Sequence, residues 1–409
     1  MNDSGQQHTE REFSGKAGNA FPKNRPLFIK RRLFFSFLAL TTFGAAQILS
    51  SFPNLVETVF TNGVGQWLPR TLSQITGWAP FSVVEIASTL LAILFARDII
   101  VSIIDATRGR RRLSNVLACG VLKTLGTIGI VVTVFYGAWG FNYSRADLIH
   151  RLRWEAFAEK ALAAPDVEKL AHLCEETVNA GNEEYRALFH KEDLGEPSAP
   201  KESINNIDAA IERSYACVTK RLKLHSTFAA PRGRAKPLQI SPLMSYTLIS
   251  GFYSPWTGEA NYNFDIPLFR QPEVIAHEKA HQRCVASEDE ANFFGYLACI
   301  HSDDSYVRYS GCVMAQRILL TELSTLDIKR AKEILSKRLP GVQRDADANN
   351  AYIAAHTGKA SAAGRAVNNA YLKANRVKGG VKSYQRGSRL LLTFAEFNGG
   401  SCLPRPEDK

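Results

Sequence analysis

His277, Glu278 and His281 stand as H-E-x-x-H within the apolar-flanked segment VIAHEKAHQ. Residues four apart lie one above the other on an α-helix, so both imidazoles can reach one metal ion while Glu278 points to the side of it. A zinc ion that keeps one position open for water needs a third protein ligand, and a downstream carboxylate is a common solution. SEDEANFF supplies Glu288, seven residues after His281, and Asn292 one helical turn further on, placed to hydrogen-bond a ligand. The intervening RCVAS must then break the helix and turn the chain back.

The chemistry implied is hydrolysis. Zn²⁺ lowers the pKa of a water, Glu278 takes its proton as general base, and the attack falls on a carbonyl; protonated Glu278 then passes the proton to a leaving amine. An oxyanion donor is needed as well. Tyr309, His301 and Tyr384 are candidates by chemistry alone, and each has a structural role as its plainer account. A rival donor set exists: on an unbroken helix Cys284, three residues after His281, would join the two histidines as a His₂Cys site. A buried or disulfide-bonded Cys284 is the plainer reading.

Several elements must position these groups. From Ala146 to Leu224, LRWEAFAEKALAAPDVEKLAHLCEETV and SINNIDAAIERSYACVTKRL repeat apolar residues at three- and four-residue spacing, the mark of amphipathic helices. Residues 235–268 are short, β-favouring and punctuated by Pro and Gly, and read as a small sheet or hairpin. Helix returns after Pro272 and continues through DEANFFGYLACI, GCVMAQRILLTELSTL, NNAYLKAN and SYQRGSRLLLTFAEF. GFYSPWTGEANYN, just ahead of the metal helix, occupies the place of a substrate-aligning strand. Phe252, Tyr253, Glu259 and Asn261 are its candidate substrate-binding residues, with packing as the alternative account of Phe252, Tyr253 and Trp256.

Three apolar runs precede this domain: residues 33–51, 78–96 and 116–137, each long enough to cross a bilayer core of about 30 Å. The first follows Lys30, Arg31 and Arg32 and lacks a small-x-small exit, so it reads as an uncleaved anchor rather than a signal peptide. Glu85 and Lys123 interrupt the other two, with interfacial placement and snorkelling as the plain account and a polar contact inside the bundle as the functional one. Seven Lys/Arg precede the first run, one (Arg70) separates the first two, and five (Arg97, Arg108, Arg110, Arg111, Arg112) separate the last two. The positive-inside rule then puts the tail and the RGRRR loop in the cytoplasm and everything after Asn142 outside.

The net charge of +11 does not indicate nucleic acid: residues 1–144 hold 14 Lys/Arg against 7 Asp/Glu, leaving +4 for the whole of the remainder. The excess flanks membrane segments, where it meets anionic lipid headgroups. Of seven cysteines, Cys119 lies in an apolar run and six follow it without a CxxC pair. Fifteen full pairings or none are equally open.

GFYSPWTGEANYN, AHEKAHQ and SEDEANFFGYLAC together resemble a bacterial membrane-protein family catalogued as a domain of unknown function, number 3810. PFSVVE at Pro80, WGFNYSR at Trp139, VRYSG at Val307 and NNAYLKAN with GVKSY at residues 368–384 extend the likeness over nearly all of residues 33–396. The resemblance implies a multi-pass membrane protein with a metallopeptidase-like outer domain. E-x-x-A-N is also similar to the E-x-x-A-D third-ligand motif of membrane zinc peptidases, which selects Glu288 over Glu290 and gives Asn292 the role of supporting a histidine. Lys279 departs from a usually apolar position, and Cys284 from a turn-making Gly. Lys279 must face solvent or oppose the metal, and a left-handed turn at Cys284 would carry a modest backbone cost.

The expected architecture is mainly α. A basic unstructured cytoplasmic tail (1–32) and a three-helix membrane region (33–141) precede a mostly helical, zincin-like extracytoplasmic domain (142–400) with a small sheet, and residues 401–409 form a tail. The expected function is a zinc hydrolase of the bacterial inner membrane, a peptidase acting on peptides or proteins near the membrane surface, with oligomeric state open. The alternative is a non-catalytic membrane sensor or interaction protein that keeps a structural metal. A transporter is disfavoured because three spans with few polar residues offer little pathway.

Overall fold

The computed structural model describes residues 25–109, 112–163, 166–375 and 387–405. Most of the expected tail, Arg110 and Arg111 of the basic loop, Tyr384, and the last four residues lie outside the described residues. The chain divides into two compact units, Met1–Thr42 with Ser88–Thr133, and Phe43–Ala87 with Val134–Lys409.

Three helices are long and apolar enough to cross a membrane: Pro26–Leu49, Val83–Thr107 and Leu113–Ala138. The second begins five residues later than expected and runs eleven further. Trp78 instead caps the helix Gly65–Gly77, and Pro80 holds the chain out of helix until Ser82. At the far end the apolar run IIVSII carries helix through Arg97 and Asp98, so Arg97 is not a loop residue. In the smaller unit Lys123 donates to Asp98 at 2.6 Å, a polar contact between two helices. In the larger unit Glu85 accepts the backbone N–H groups of Gln239 and Ile240, both at 3.0 Å, so its carboxylate serves a protein contact.

The larger unit is mainly helical. Ser203, Asp166 and Asp304 cap the starts of Ile204–Arg221, Val167–Phe189 and Ser305–Leu326 by accepting first-turn N–H groups, each worth about 1 kcal/mol. The last two helices pack face to face around Leu173, Val178, Val313 and Leu319, all buried. Trp154, Phe293, Phe394 and Phe397 form an aromatic cluster that ties the chain's end into the same core. Such side chains contribute about 1.5–3 kcal/mol each on full burial.

The expected small sheet has three strands: β1 (Lys236–Pro237), β2 (Gly251–Ser254) and β3 (Glu259–Tyr262), in the order β1-β3-β2. β1 runs parallel to β3, while β2 and β3 pair antiparallel with Phe252 opposite Asn261. β3 is central and buried throughout. β2 is an edge strand, and it lies against the helix Gln271–Gln282.

Candidate metal centre

Gln271–Gln282 carries H-E-x-x-H, with Pro272 in its first turn where a missing N–H costs nothing. The helix stops at Gln282, and Cys284 takes the left-handed conformation (φ 66°) foreseen for the position of a turn-making Gly. Val285 and Ala286 then lead back to a second helix, Glu288–Ile300, whose first turn holds Glu288, Asp289 and Glu290, favourable at the positive end of the helix dipole. A Cβ at Gly295 would lie 3.0 Å from the His277 backbone nitrogen, so its absence lets the two helices cross closely at the site.

His277, His281 and Glu288 converge. The two Nε2 atoms are 3.0 Å apart, and Glu288 Oε2 lies 3.2 Å from that of His277 and 3.5 Å from that of His281. Four ligands around zinc at about 2.0–2.1 Å stand about 3.3 Å apart at the corners of a tetrahedron, so these three atoms already have the spacing of a metal's ligand face. Each imidazole is also held by its other nitrogen: Nδ1 of His277 to Asn292 Oδ1 at 2.9 Å, Nδ1 of His281 to the Val285 carbonyl at 2.6 Å. With Nδ1 as donor in both, the Nε2 lone pairs face the centre. Asn292 thus takes the supporting place read from sequence, and Glu290 turns away to Arg151 and the Leu148 N–H.

The three groups are also coupled electrostatically. Burial opposes ionisation of Glu288, but the charge of His281 and hydrogen bonds from both histidines outweigh it and hold the carboxyl well below its ordinary value. Burial works against the His281 cation, yet Glu288 and Glu278 push its pKa up to about 9.

Glu278 stands apart from this face. Burial is the main cause that pushes it up to about 7, with the Glu288 charge acting the same way and the two histidines opposing. Its Oε2 is buried with no hydrogen-bond partner among the described residues. Gly251, at the start of β2, lies against it: a Cβ there would sit 2.7 Å from Glu278 Oε1. A carboxylate left unsatisfied in this way has a free lone pair for a water or a cation's ligand.

The other candidates separate. Phe252 and Tyr253 are part-exposed on the edge strand, with the Tyr253 ring 5.6 Å from Trp139. Glu259 and Asn261 are wholly buried and are not substrate contacts. Glu259 accepts the N–H groups of Val83 and Val84 at 3.0 and 2.9 Å, capping the second apolar helix, and Asn261 accepts from Ser82 at 2.8 Å. Being polar on the central strand of the sheet, they serve the helix start packed upon it. The Cys284 thiol faces the Gly65 carbonyl at 3.9 Å, which removes it from a His₂Cys set, and all seven cysteines are unpaired. Lys279 meets neither solvent nor the metal face: it is buried against Glu212 at 2.7 Å and Asp208 at 3.2 Å. Tyr309 donates to Asp345 at 2.6 Å, and His301 Nδ1 meets the Leu297 carbonyl at the end of its helix.

Two groups went unassigned in sequence. Trp139, one residue past the third apolar helix, donates Nε1–H to the His281 carbonyl at 3.2 Å. Tyr371 receives the Tyr143 hydroxyl at 3.0 Å, and burial, with the Glu288 charge among the lesser causes, pushes its pKa up to about 12. WGFNYSR and NNAYLKAN contain the two residues, but no spacing ties either motif to H-E-x-x-H across so long a stretch of chain.

Residues 60–392 match a family described as "Protein of unknown function (DUF3810)". No curated protein and no solved structure matches the chain.

Proposed function

The chain belongs to the DUF3810 family, and on its site geometry we propose a zinc-dependent hydrolase, a peptidase held in the membrane by three helices. The observation that carries this reading is the tetrahedral spacing of His277 Nε2, His281 Nε2 and Glu288 Oε2 beside the unsatisfied buried carboxylate of Glu278. A structural site has no use for such a carboxylate, whereas hydrolysis needs a base poised near neutrality. The packing of the H-E-x-x-H helix against Glu288–Ile300, with an edge strand alongside, supports a zincin-like reading.

His277, His281 and Glu288 would hold Zn²⁺ as a His₂Glu set. When bound, the ion supplies Lewis acidity, polarising a carbonyl and acidifying water. Glu278 takes the proton as water oxygen bonds to the carbonyl carbon, then delivers it to the amine nitrogen as the C–N bond breaks, leaving a carboxylic acid and an amine. Tyr371 supplies a hydroxyl toward the oxyanion. In the antiparallel pairing Gly251 and Tyr253 direct their N–H and C=O groups away from β3, an edge on which an extended peptide can lie.

The loop charges support a cytoplasmic tail and an outer domain, and the reading takes the membrane as a bacterial inner membrane and the substrate as a peptide or protein near its surface. Elemental mass spectrometry on the detergent-purified protein, with peptide hydrolysis assayed in parallel, tests the reading. One zinc per chain is expected in wild type and Glu278→Gln, with turnover only in wild type. Absence of zinc after reconstitution at neutral pH overturns it.

A further inference from the structure

Residues 52–81, which join the first two apolar helices, bury Thr61, Gln66, Ser73 and Thr76 while eight large apolar side chains, Phe52 and Phe81 among them, stay exposed. On the buried face, Gln66 donates to the Arg283 carbonyl at 3.3 Å and accepts from Arg232 at 2.5 Å. Thr76 donates to the Thr257 carbonyl at 3.1 Å, and Ser73 accepts the Gly233 N–H at 3.3 Å. The outward face presents Leu55, Val59, Val64, Trp67, Ile75 and Trp78, with Trp67 70% and Trp78 75% exposed. In water this inversion is costly, because the hydrophobic effect drives such side chains inward.

The chain itself says what covers the face. The segment starts three residues after Leu49 ends the first apolar helix and finishes two before Val83 begins the second. If those helices span, both ends are pinned at one membrane surface. Two of its most exposed side chains are tryptophans, whose amphipathic rings concentrate at the headgroup level. Charge is nearly absent: Arg70 is its one basic residue, long enough to snorkel, and its one acid, Glu57, is paired with Arg145 at 2.6 Å.

We propose that residues 52–81 lie in the bilayer interface with this apolar face in lipid, and that they set the height of the candidate site. Arg145 links the two: it pairs with Glu57 and also donates to the Cys284 carbonyl at 2.9 Å, in the turn that ends the H-E-x-x-H helix. The inference rests on the reading of the three helices as spans and is independent of zinc.

Full-length protein in phosphatidylglycerol and phosphatidylethanolamine vesicles, carrying benzoylphenylalanine at position 67, 75 or 333, tests it. Trp67 and Ile75 are exposed, so replacement leaves the fold intact, and Glu333 is an exposed polar control. Irradiation is expected to give lipid adducts at 67 and 75 and none at 333. Cross-links to a second copy in place of lipid, or no lipid adduct at either position, would overturn the proposal. In vesicles with brominated acyl chains, Trp67→Phe with Trp78→Phe should remove most tryptophan quenching; unchanged quenching argues the same way as absent adducts. Retention through an alkaline carbonate wash reports the spans separately.

Discussion

The indole of Trp139 bonds the backbone carbonyl of His281 at 3.2 Å, and its ring stands 6.2 Å from the His281 imidazole, nearly edge-on. One residue earlier, Ala138 ends the third apolar helix. A candidate metal ligand is thus hydrogen-bonded to the residue that directly follows a candidate membrane span.

Trp139→Phe keeps most of the ring and removes the N–H. Loss of one hydrogen bond should lower stability by about 1 kcal/mol, and loosening of His281 should weaken zinc binding severalfold. Denaturant titration in detergent, alongside a competitive chelator titration, measures both; unaltered zinc affinity would leave Trp139 as packing alone.

Asn292→Ala removes the acceptor that orients His277. Zinc at saturation should remain at one per chain, while affinity falls by roughly 10–100-fold. His277→Ala and Glu288→Ala should instead lose the metal at any practical concentration. Calorimetric titration of metal-stripped protein separates the two classes.

Gly251→Ala would drive a methyl to 2.7 Å from both Glu278 Oε1 and the Asn261 carbonyl. Because backbone cannot yield easily there, Glu278 must move. Turnover should fall by at least about tenfold with zinc content unchanged, since misplacement of a general base by a fraction of an ångström forfeits much of its effect. Full activity in this variant would argue against Glu278 as base.

Tyr371→Phe tests the hydroxyl that the Glu288 charge reaches. An oxyanion donor is worth about 10²–10³ in kcat. The expected loss lies there, with KM nearly constant; a change confined to KM would assign Tyr371 to substrate binding.

Glu212 gives a pH dependence away from the metal. Burial pushes its carboxyl up, but Arg283 and Lys279 outweigh that and hold it at about 2, against an ordinary 4.5. A depressed folded-state pKa contributes stability that is complete above 4.5 and is lost as pH falls from there through about 2. Glu212→Gln leaves Arg283 and Lys279 buried with less compensation, costing about 3–5 kcal/mol at neutral pH and flattening the acid limb. Thermal unfolding between pH 7 and pH 2 follows both effects.

Sequence by itself determined what is periodic and local. Long apolar runs marked three helices, and the i, i+4 spacing of His277 and His281 put two donors on one face. The need to return a third donor marked a break within RCVAS and offered Glu288 with Asn292, because a helix and a turn are short-range consequences of residue type; the family resemblance chose Glu288 over Glu290 and marked the turn at Cys284. Only the tertiary structure decided what depends on packing across distance. Glu259 and Asn261 look like substrate groups in a polar strand, yet the order β1-β3-β2 buries them under the start of the second apolar helix. Lys279 is ill-placed in the linear chain until Glu212 and Asp208, from the much earlier helix Ile204–Arg221, arrive beside it. Trp139 and Tyr371 lie on either side of H-E-x-x-H in the chain and come to His281 and to Tyr143 respectively. Their contacts follow from how the core closes, and no local pattern encodes that closure.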